Sequence, residues 1–305
     1  MTTTDAVTPD PVKDLYEHWS AAFAAEPGMP LAKWRALIEE WPRVTAEPGG
    51  VDYVEVDAGG VPAMWITPKG AAEDRVIVAI HGGGFVTGSM YTHRKLFGHL
   101  AKAVGVRALA VNYRRTPEHV YPAQVEDVVA AYRWLLGQGI DPSHIAFAGD
   151  SSGGGLVVTA MLLARDQGLP LPAAGMPLSP WFDYEATCAS QETNADTDKL
   201  LNKGFGLVLA GMFLGESGDP HDPYVNPLYA NLDGLPPMFL QVSDAETLLD
   251  DSLTFAEHAR NAGIEVRLDV FPGQQHTFQM AAGRSPIADE ALQRLADWVR
   301  PRLGL

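Results

Sequence analysis

A serine stands between glycines at the point where a short apolar run ends. Residues 145–148 have the pattern of a buried strand, and Gly149, Ser151 and Gly153 follow as G-x-S-x-G before an apolar helical segment. A sharp turn there lifts the serine hydroxyl above the sheet edge, and side chains on the flanking glycines would collide. The pattern predicts a nucleophilic Ser151, although glycine-rich turns before helices also bind phosphates.

A second candidate for chemistry is a histidine followed by three glycines, His81 to Gly84. These residues come after a continuous apolar run over residues 75–80, which is typical of a strand covered on both faces. Glycines leave backbone N–H groups open to a substrate oxygen, whereas a simple turn needs only one or two of them. We therefore expect the N–H groups of Gly83 and Gly84, joined by that of Ser152, to form an oxyanion hole.

Three other residues of these two motifs are expected to support the chemistry without reacting. We assign His81 an architectural role, in which its imidazole bonds to the backbone of the loop. Gly82 and Asp150 complete the motifs as supporting residues.

The candidate base for Ser151 is His276. It lies in a loop after the last predicted strand, residues 266–271, and such strand ends are where an open parallel sheet places its ligands. The poorer candidates lie in helical segments or at a strand start: His18, His99, His258 and His144. A serine hydroxyl is a poor nucleophile until an imidazole takes its proton.

A carboxylate must hold the tautomer of that imidazole and stabilise the cation that forms. Four acidic residues follow the predicted strand 238–242: Asp244, Glu246, Asp250 and Asp251. The residues alone do not choose among them, and a run of carboxylates also favours the N-terminus of the following helix. The chain order of serine, acid and histidine is the one expected for an α/β-hydrolase triad.

Predicted strands and helices that alternate from residue 75 onward must position these groups. The alternation indicates a parallel sheet with right-handed crossovers, and residues 51–67 before it predict an antiparallel hairpin. Because an open parallel sheet binds its ligands at the carboxyl ends of its strands, we expect Ser151, the acid and His276 to meet at that edge.

Two segments do not belong to this alternation. Apolar residues recur at helical spacing over residues 12–23 and 31–41 and predict two short, aromatic-rich helices. Residues 185–218 interrupt the later alternation with a polar stretch and an apolar helix over 205–214. We interpret both segments as parts of a lid over an apolar substrate. The alternatives are packing against the body for the first and a further core helix for the second.

Composition limits the classes of partner and compartment. The 305 residues, 46% hydrophobic, suffice for one large α/β domain with a subsidiary element or for two domains. A net charge of −16 without a basic cluster argues against nucleic acid and anionic membranes, and favours a small neutral substrate. The single cysteine, Cys188, excludes an intrachain disulfide and is interpreted as a small, half-buried residue.

The same composition bears on membranes and location. No run of about 20 apolar residues occurs, so we expect no stable membrane insertion. Residues 1–5 lack a cationic region followed by an apolar run, and we therefore predict a cytoplasmic protein.

The motifs together resemble those of the bacterial hormone-sensitive-lipase-like family of α/β-hydrolase esterases, over about residues 75–300. The resemblance is carried by several motifs in the expected order: His81-Gly-Gly-Gly84, Tyr113-Arg114, Pro117-Glu-His119, Pro122-Ala123, Gly149-Asp-Ser-Ser-Gly-Gly154, Asp222-Pro-Tyr, Asn226-Pro-Leu, Leu235-Pro-Pro237 and the His276 loop. Alignment with the family's acid motif, D-x-L-x-D, implies that Glu246 is the triad acid in place of the usual Asp, as in a Glu-bearing branch. Asp244 is the alternative candidate for the triad acid.

This resemblance implies a fold and an activity. The fold is an eight-stranded, mostly parallel sheet flanked by helices, with residues 46–305 as the catalytic domain. The cap comprises residues 1–45 and an insertion at about 185–218. Members of the family hydrolyse short-to-medium acyl esters without cofactor or metal, often as dimers.

The predicted function is therefore that of a serine carboxylesterase whose acyl-enzyme forms on Ser151, with His276 as base and Glu246 as acid. Hydrolysis of lactones or amides needs the same triad, so both are alternatives. A noncatalytic ligand receptor on the same fold is an alternative from another class, although the presence of His276 argues against it.

Overall fold

A computed structural model describes residues 10–305 and contains eight strands. The first residues of the chain, on which the predicted location depends, lie outside the described range. In chain order the strands are β1 (Val51–Asp57), β2 (Pro62–Pro68), β3 (Ala72–Ile80), β4 (Val106–Val111), β5 (Ile145–Asp150), β6 (Ala174–Leu178), β7 (Met238–Ser243) and β8 (Val266–Phe271).

The eight strands form one sheet in the order β1-β2-β4-β3-β5-β6-β7-β8. β2 is antiparallel to both β1 and β4, and every other neighbouring pair is parallel. The predicted hairpin and the predicted mostly parallel, eight-stranded sheet are both confirmed. Since β3 and β5 to β8 run in one direction, the loops that follow them leave the same edge of the sheet.

Nine α-helices lie within residues 10–305: α1 (Pro11–Ala25), α2 (Leu31–Ile38), α3 (Met90–Val104), α4 (Ala123–Gly137), α5 (Ser152–Asp166), α6 (Ser190–Thr193), α7 (Lys203–Leu214), α8 (Leu249–Asn261) and α9 (Pro286–Val299). Over these residues, no helix combines the length and apolar character needed to cross a membrane.

Alternate residues of the central strand β3 contribute to two hydrophobic cores on opposite faces of the sheet. Val76 and Val78 belong to the core that also contains residues of α4, α5 and α8, whereas Ile77 and Ala79 belong to the core that contains residues of α3 and α9. This is the two-residue period of a strand covered on both faces. The continuous apolar run at β3 is explained because each face needs its own apolar residues.

The first helix, α1, contributes to one of these cores. Tyr16 and Trp19 of α1, together with Trp41, are buried in the cluster that contains α3 and α9. These residues pack against the body of the protein, and Trp19 and Trp41 also line the pocket described below, so the lid stays a prediction. The apolar helix of the insertion, α7, buries Leu209 and Phe213 while Val208 on its outer side is 55% exposed, so it is not a fully enclosed core helix.

Side-chain caps define the start of one helix and of one strand. Helix α3 begins at Met90, because Ser89 and Thr92 form a reciprocal capping box there. His144 ends a short 3₁₀ turn whose N-cap is Asp141, and β5 starts at the next residue. Local side-chain caps set both boundaries.

A glycine substitution tests how closely β3 and α5 approach. A Cβ on Gly153, in the first turn of α5, would lie 2.6 Å from His81 O and still closer to Ile80 O. Because these neighbours are backbone atoms that cannot rotate away, we expect Gly153→Ala to lower the free energy of unfolding by about 2 kcal/mol or more. Urea denaturation would measure the loss.

The matched control is another glycine within a helix. Gly211 in α7 has no atom within 4 Å of the Cβ position, so Gly211→Ala should be neutral or stabilise by up to about 1 kcal/mol. Equal denaturation midpoints for the two variants would contradict the close approach.

Candidate active site

Ser151 occupies the turn between β5 and α5 with φ of 55° and ψ of −121°. A left-handed φ is rare outside glycine and costs about 1–3 kcal/mol, so the surroundings must hold it. The Ser151 N–H donates to Leu178 O over 2.9 Å, and Ser151 O accepts from the Trp181 N–H over 3.0 Å. The strained turn predicted from the sequence is present, and Ser151 lines a pocket above the sheet edge.

His276 and Glu246 lie in line with Ser151. His276 Nε2 is 2.9 Å from Ser151 Oγ, and His276 Nδ1 is 3.0 Å from Glu246 Oε2. The carboxylate accepts from Nδ1–H, which leaves Nε2 free to accept the serine proton. Three loops that are distant in sequence thus place a serine hydroxyl, an imidazole and a carboxylate within hydrogen-bond reach.

Burial and the contact between His276 and Glu246 together set the pKa values of these two residues. Burial lowers the pKa of His276, but the hydrogen bond and charge of Glu246, with the charges of Asp198 and Asp150, outweigh that effect and raise it above its ordinary value. Burial also raises the pKa of Glu246, against the hydrogen bond and charge of His276. Holding a carboxylate beside the ring favours the imidazolium that proton transfer creates.

The other candidate acids are engaged elsewhere. Asp244 Oδ1 accepts from the Gly273 N–H, and Asp250 Oδ2 accepts from the Ser190 N–H. Asp251 Oδ2 accepts two backbone N–H groups, and burial raises the pKa of this carboxyl to about 8. Of these four carboxylates, the structure brings only Glu246 into contact with His276.

The glycine loop lies beside Ser151 in the same pocket. Gly83 has φ of 115° and Gly84 has φ of 61°, which are conformations that glycine adopts readily. A Cβ on Gly84 would lie 2.8 Å from Leu209 Cδ1 of α7. Within residues 10–305, the N–H groups of Gly83 and Gly84 donate to no backbone acceptor. The Ser152 N–H, at the first position of α5, has no acceptor within its own helix.

A buried hydrogen-bond network supports this loop. His81 Nδ1 is 2.8 Å from Gly82 O, and the Gly82 N–H donates to Asp150 Oδ1 over 3.1 Å. The other carboxylate oxygen of Asp150 is 3.2 Å from His93 Nε2. Burial and the neighbouring His93 lower the pKa of His81, which keeps its imidazole neutral. The sequence analysis did not identify His93, because it lies in a helix with no motif beside it.

The insertion between β6 and β7 contacts the loop that carries Glu246, and the sequence analysis did not predict this contact. Asn194 Nδ2 donates to the carbonyl oxygens of Asp244 and Glu246 over 2.9 and 2.8 Å. The buried carboxylate of Asp198 accepts from the N–H of Thr247 over 2.9 Å and from its hydroxyl over 3.1 Å. The polar stretch of the insertion thus holds the backbone on either side of the acid.

The pocket in front of Ser151 is largely apolar. One wall comes from the N-terminal segment and another from the insertion, and the lining includes Trp19, Trp34, Ile38, Trp41, Leu200, Leu201, Phe205 and Leu209. Within the described residues no lysine or arginine lines it. Such a pocket suits a neutral, apolar group beside a reacting carbonyl.

Comparisons with known proteins show the family of this chain. The model of the α/β-hydrolase fold family matches residues 77–280. An acetyl-hydrolase of Streptomyces hygroscopicus is 37% identical over 249 residues, which are 82% of this chain and 83% of that one. An esterase of Acinetobacter venetianus is 36% identical over 266 residues, which are 87% of each chain.

Solved structures extend the similarity to nearly the whole chain. An esterase of the bacterial hormone-sensitive lipase family is 42% identical with a TM-score of 0.91, over 97% of this chain and 99% of that one. EstE5, in a crystal soaked with p-nitrophenyl butyrate, is 36% identical with a TM-score of 0.89, over 97% of this chain and 99% of its own. The chain therefore belongs to the α/β-hydrolase fold family, and within it to the bacterial hormone-sensitive lipase family.

Proposed function

We propose that the protein is a serine carboxylesterase that hydrolyses short-to-medium acyl esters through an acyl-enzyme on Ser151. The observation that carries the proposal is the hydrogen-bonded series from Ser151 Oγ through His276 to Glu246, which opens on an apolar pocket. Relatives of this chain are named esterase and acetyl-hydrolase, which supports a carboxylic-ester hydrolase.

In the acylation step, Ser151 Oγ attacks the ester carbonyl while His276 Nε2 takes the hydroxyl proton. The carbonyl oxygen becomes an oxyanion, which the N–H groups of Gly83, Gly84 and Ser152 stabilise by hydrogen bonds. Glu246 stabilises the imidazolium through Nδ1–H. When the tetrahedral intermediate collapses, the alcohol leaves with the proton from Nε2.

Deacylation repeats the sequence with water as the nucleophile. His276 removes a proton from a water molecule, which attacks the acyl carbonyl on Ser151. The same oxyanion donors hold the second intermediate, and Ser151 regains its proton as the acid leaves. No step requires a charge on the substrate, which fits a pocket that has no lysine or arginine among its lining residues over 10–305.

The substrate class follows from the pocket and from the relatives. Tryptophan and leucine side chains favour an apolar acyl or alcohol group. EstE5 was soaked with p-nitrophenyl butyrate, an ester whose acyl group has four carbons. Lactones and amides would use the same groups. A noncatalytic receptor is a weaker alternative, because the base is within 2.9 Å of the serine hydroxyl.

We also propose that residues 1–45 and 185–218 form a cap over a catalytic domain of residues 46–305. The two segments meet where Phe23 and Trp34 pack on Phe205, with ring centroids 5.7 and 5.5 Å apart. Residues 1–9 of this proposed cap lie outside the described residues. Both segments line the pocket, so the cap is expected to limit the length of the substrate.

A homodimer and a cytoplasmic location stay predictions. Light scattering on the purified protein would measure its mass in solution, and the mass of a single chain would contradict the homodimer. Cell fractionation measures the second, with recovery outside the cytoplasm as the contrary result.

Removal of the serine hydroxyl tests the proposed function. We expect Ser151→Ala to lower the kcat for p-nitrophenyl butyrate by at least about 10⁴-fold, because no other group in the pocket replaces the nucleophile. The wild-type protein should release a burst of p-nitrophenol if deacylation is slower than acylation. Near-normal turnover by the variant would overturn the proposal. If the wild-type protein hydrolyses no ester of any acyl length, a noncatalytic receptor is favoured.

The charge of Glu246 is expected to control both the rate and its pH dependence. Because His276 must be neutral to accept the proton and its pKa is raised, kcat/KM should fall as the pH drops through a midpoint above 6.5. In Glu246→Gln the rate should fall by about 10²–10⁴-fold, and the midpoint should move to lower pH because the carboxylate no longer stabilises the imidazolium. Initial rates between pH 5 and 9 would measure both effects.

Asp244→Asn is the control for that experiment, since its amide oxygen can still accept from Gly273 N–H. We expect its rate and pH profile to match those of the wild type. If only Asp244→Asn abolishes activity, the assignment of Glu246 as the triad acid is wrong.

Phe205 provides a test of the cap. Phe205→Ala should raise kcat/KM for p-nitrophenyl esters of longer acyl chains, relative to the butyrate ester, by about 3- to 10-fold. The reason is that it removes an aromatic wall of the pocket. Val208→Ala on the outer side of the same helix should leave the profile over acyl length unchanged. An unchanged profile in Phe205→Ala would contradict the role of the cap in selecting the substrate.

A further inference from the structure

The residue after the candidate base has an unusual backbone. Thr277 has φ of 51° and ψ of 39°, in the left-handed region. A β-branched residue in that region is an outlier, since its Cβ crowds the backbone. Such a conformation persists only where surrounding contacts hold it. Because Thr277 directly follows His276, its backbone helps to set the direction of the imidazole.

Contacts from two distant segments hold this residue. Tyr16 Oη of α1 is 2.7 Å from Thr277 Oγ1, although the two residues are 261 positions apart. The Thr277 N–H donates to Ser179 Oγ over 3.3 Å. Tyr16 and Thr277 are both completely buried, so no solvent competes for the hydroxyl–hydroxyl bond.

Tyr16 is itself held by its neighbours. Its ring lies 5.5 Å from that of Trp19, and Trp19 packs edge-on against Trp41 with the centroids 5.5 Å apart. Burial raises the pKa of Tyr16, and the charges of Asp150 and Asp198 act in the same direction. The hydroxyl therefore stays protonated across the working pH range, so that it can donate to the Thr277 hydroxyl or accept from it.

We propose that Tyr16 is a positioning residue for the base: its hydrogen bond to Thr277 holds the turn that aims His276 Nε2 at Ser151 Oγ. This inference depends on the proposed function, because it assigns a role within the same reaction. Tyr16 acts through Thr277 and touches neither Ser151 nor His276 by hydrogen bond, so it is not a catalytic residue.

The same helix connects the base with the substrate pocket. Trp19, which packs on Tyr16, lines the pocket together with Trp41, His276 and Ser151. Helix α1 thus has two functions in the reaction, since Trp19 forms part of the pocket wall and Tyr16 holds the loop that carries His276. A cap segment acts here as part of the support of the triad.

Tyr16→Phe removes only the hydroxyl and keeps the ring. We expect kcat for p-nitrophenyl butyrate to fall about 5- to 30-fold, because a displaced imidazole reduces the rate of proton transfer, while KM stays within about twofold. The pH midpoint of kcat/KM should not move, since no charge is removed. Thr277→Val, which removes the partner hydroxyl, should show the same loss.

The double variant separates positioning from general destabilisation. If one hydrogen bond causes both losses, Tyr16→Phe/Thr277→Val should be no slower than either single variant. Thr277→Ser, which keeps the hydroxyl, should retain most of the activity. Tyr132→Phe is the control, because Tyr132 is equally buried and its hydroxyl donates to Pro170 O over 2.6 Å in the opposite core. Its kcat should match that of the wild type.

Three results would overturn the inference. They are wild-type kcat in Tyr16→Phe, losses that multiply in the double variant, and an equal loss of kcat in Tyr132→Phe at a similar melting temperature. Failure of the proposed function gives a different pattern, because Ser151→Ala would then retain turnover. An inactive Ser151→Ala beside a fully active Tyr16→Phe rejects the positioning role alone.

Discussion

The left-handed backbone at Ser151 is the constraint on which the rest of the site depends. This conformation presents the hydroxyl to the pocket, and its cost of about 1–3 kcal/mol must be offset by the surrounding fold. The bonds that hold it come from Leu178 at the end of β6 and from Trp181 in the loop beyond. Glycine at position 153 lets α5 begin against the carbonyl oxygens at the end of β3. The Ser151 hydroxyl is therefore presented only by the assembled sheet, because three neighbouring strands contribute to its turn.

The position of its side chain determines which carboxylate contacts His276, since Asp251 is as buried as Glu246 but accepts from backbone N–H groups elsewhere. A buried carboxylate is costly unless hydrogen bonds replace its water, and Glu246 accepts from His276 and from the Ser243 N–H. Asp244, two residues earlier, points away and accepts from Gly273 N–H at an exposed position. The charge of Glu246 is screened little in this environment, and it raises the pKa of His276 despite the opposing effect of burial.

The segments proposed as a cap are not independent of the core or of the triad. Helix α1 places Trp19 in the pocket wall and Tyr16 against Thr277, while both rings also belong to the core around α3 and α9. In the insertion, Asn194 and Asp198 hold the backbone beside Glu246. The same two segments therefore line the pocket and contact the loops that carry His276 and Glu246, through different side chains. Point variants that keep this packing separate the two roles, whereas removal of the N-terminal segment would expose the core.

The sequence alone determined the features that arise from neighbouring residues. The apolar run before Ser151, the three glycines after His81 and the loop position of His276 each have a local pattern. The alternation of elements was sufficient to predict the parallel sheet, because strand and helix periods are properties of short segments. The choice of Glu246 needed the resemblance to a family, since four carboxylates lie within eight residues. Only the tertiary structure decided the contacts between His93 and Asp150 and between Tyr16 and Thr277. These pairs are 57 and 261 residues apart, and no local pattern marks them because packing of the finished sheet and helices brings them together.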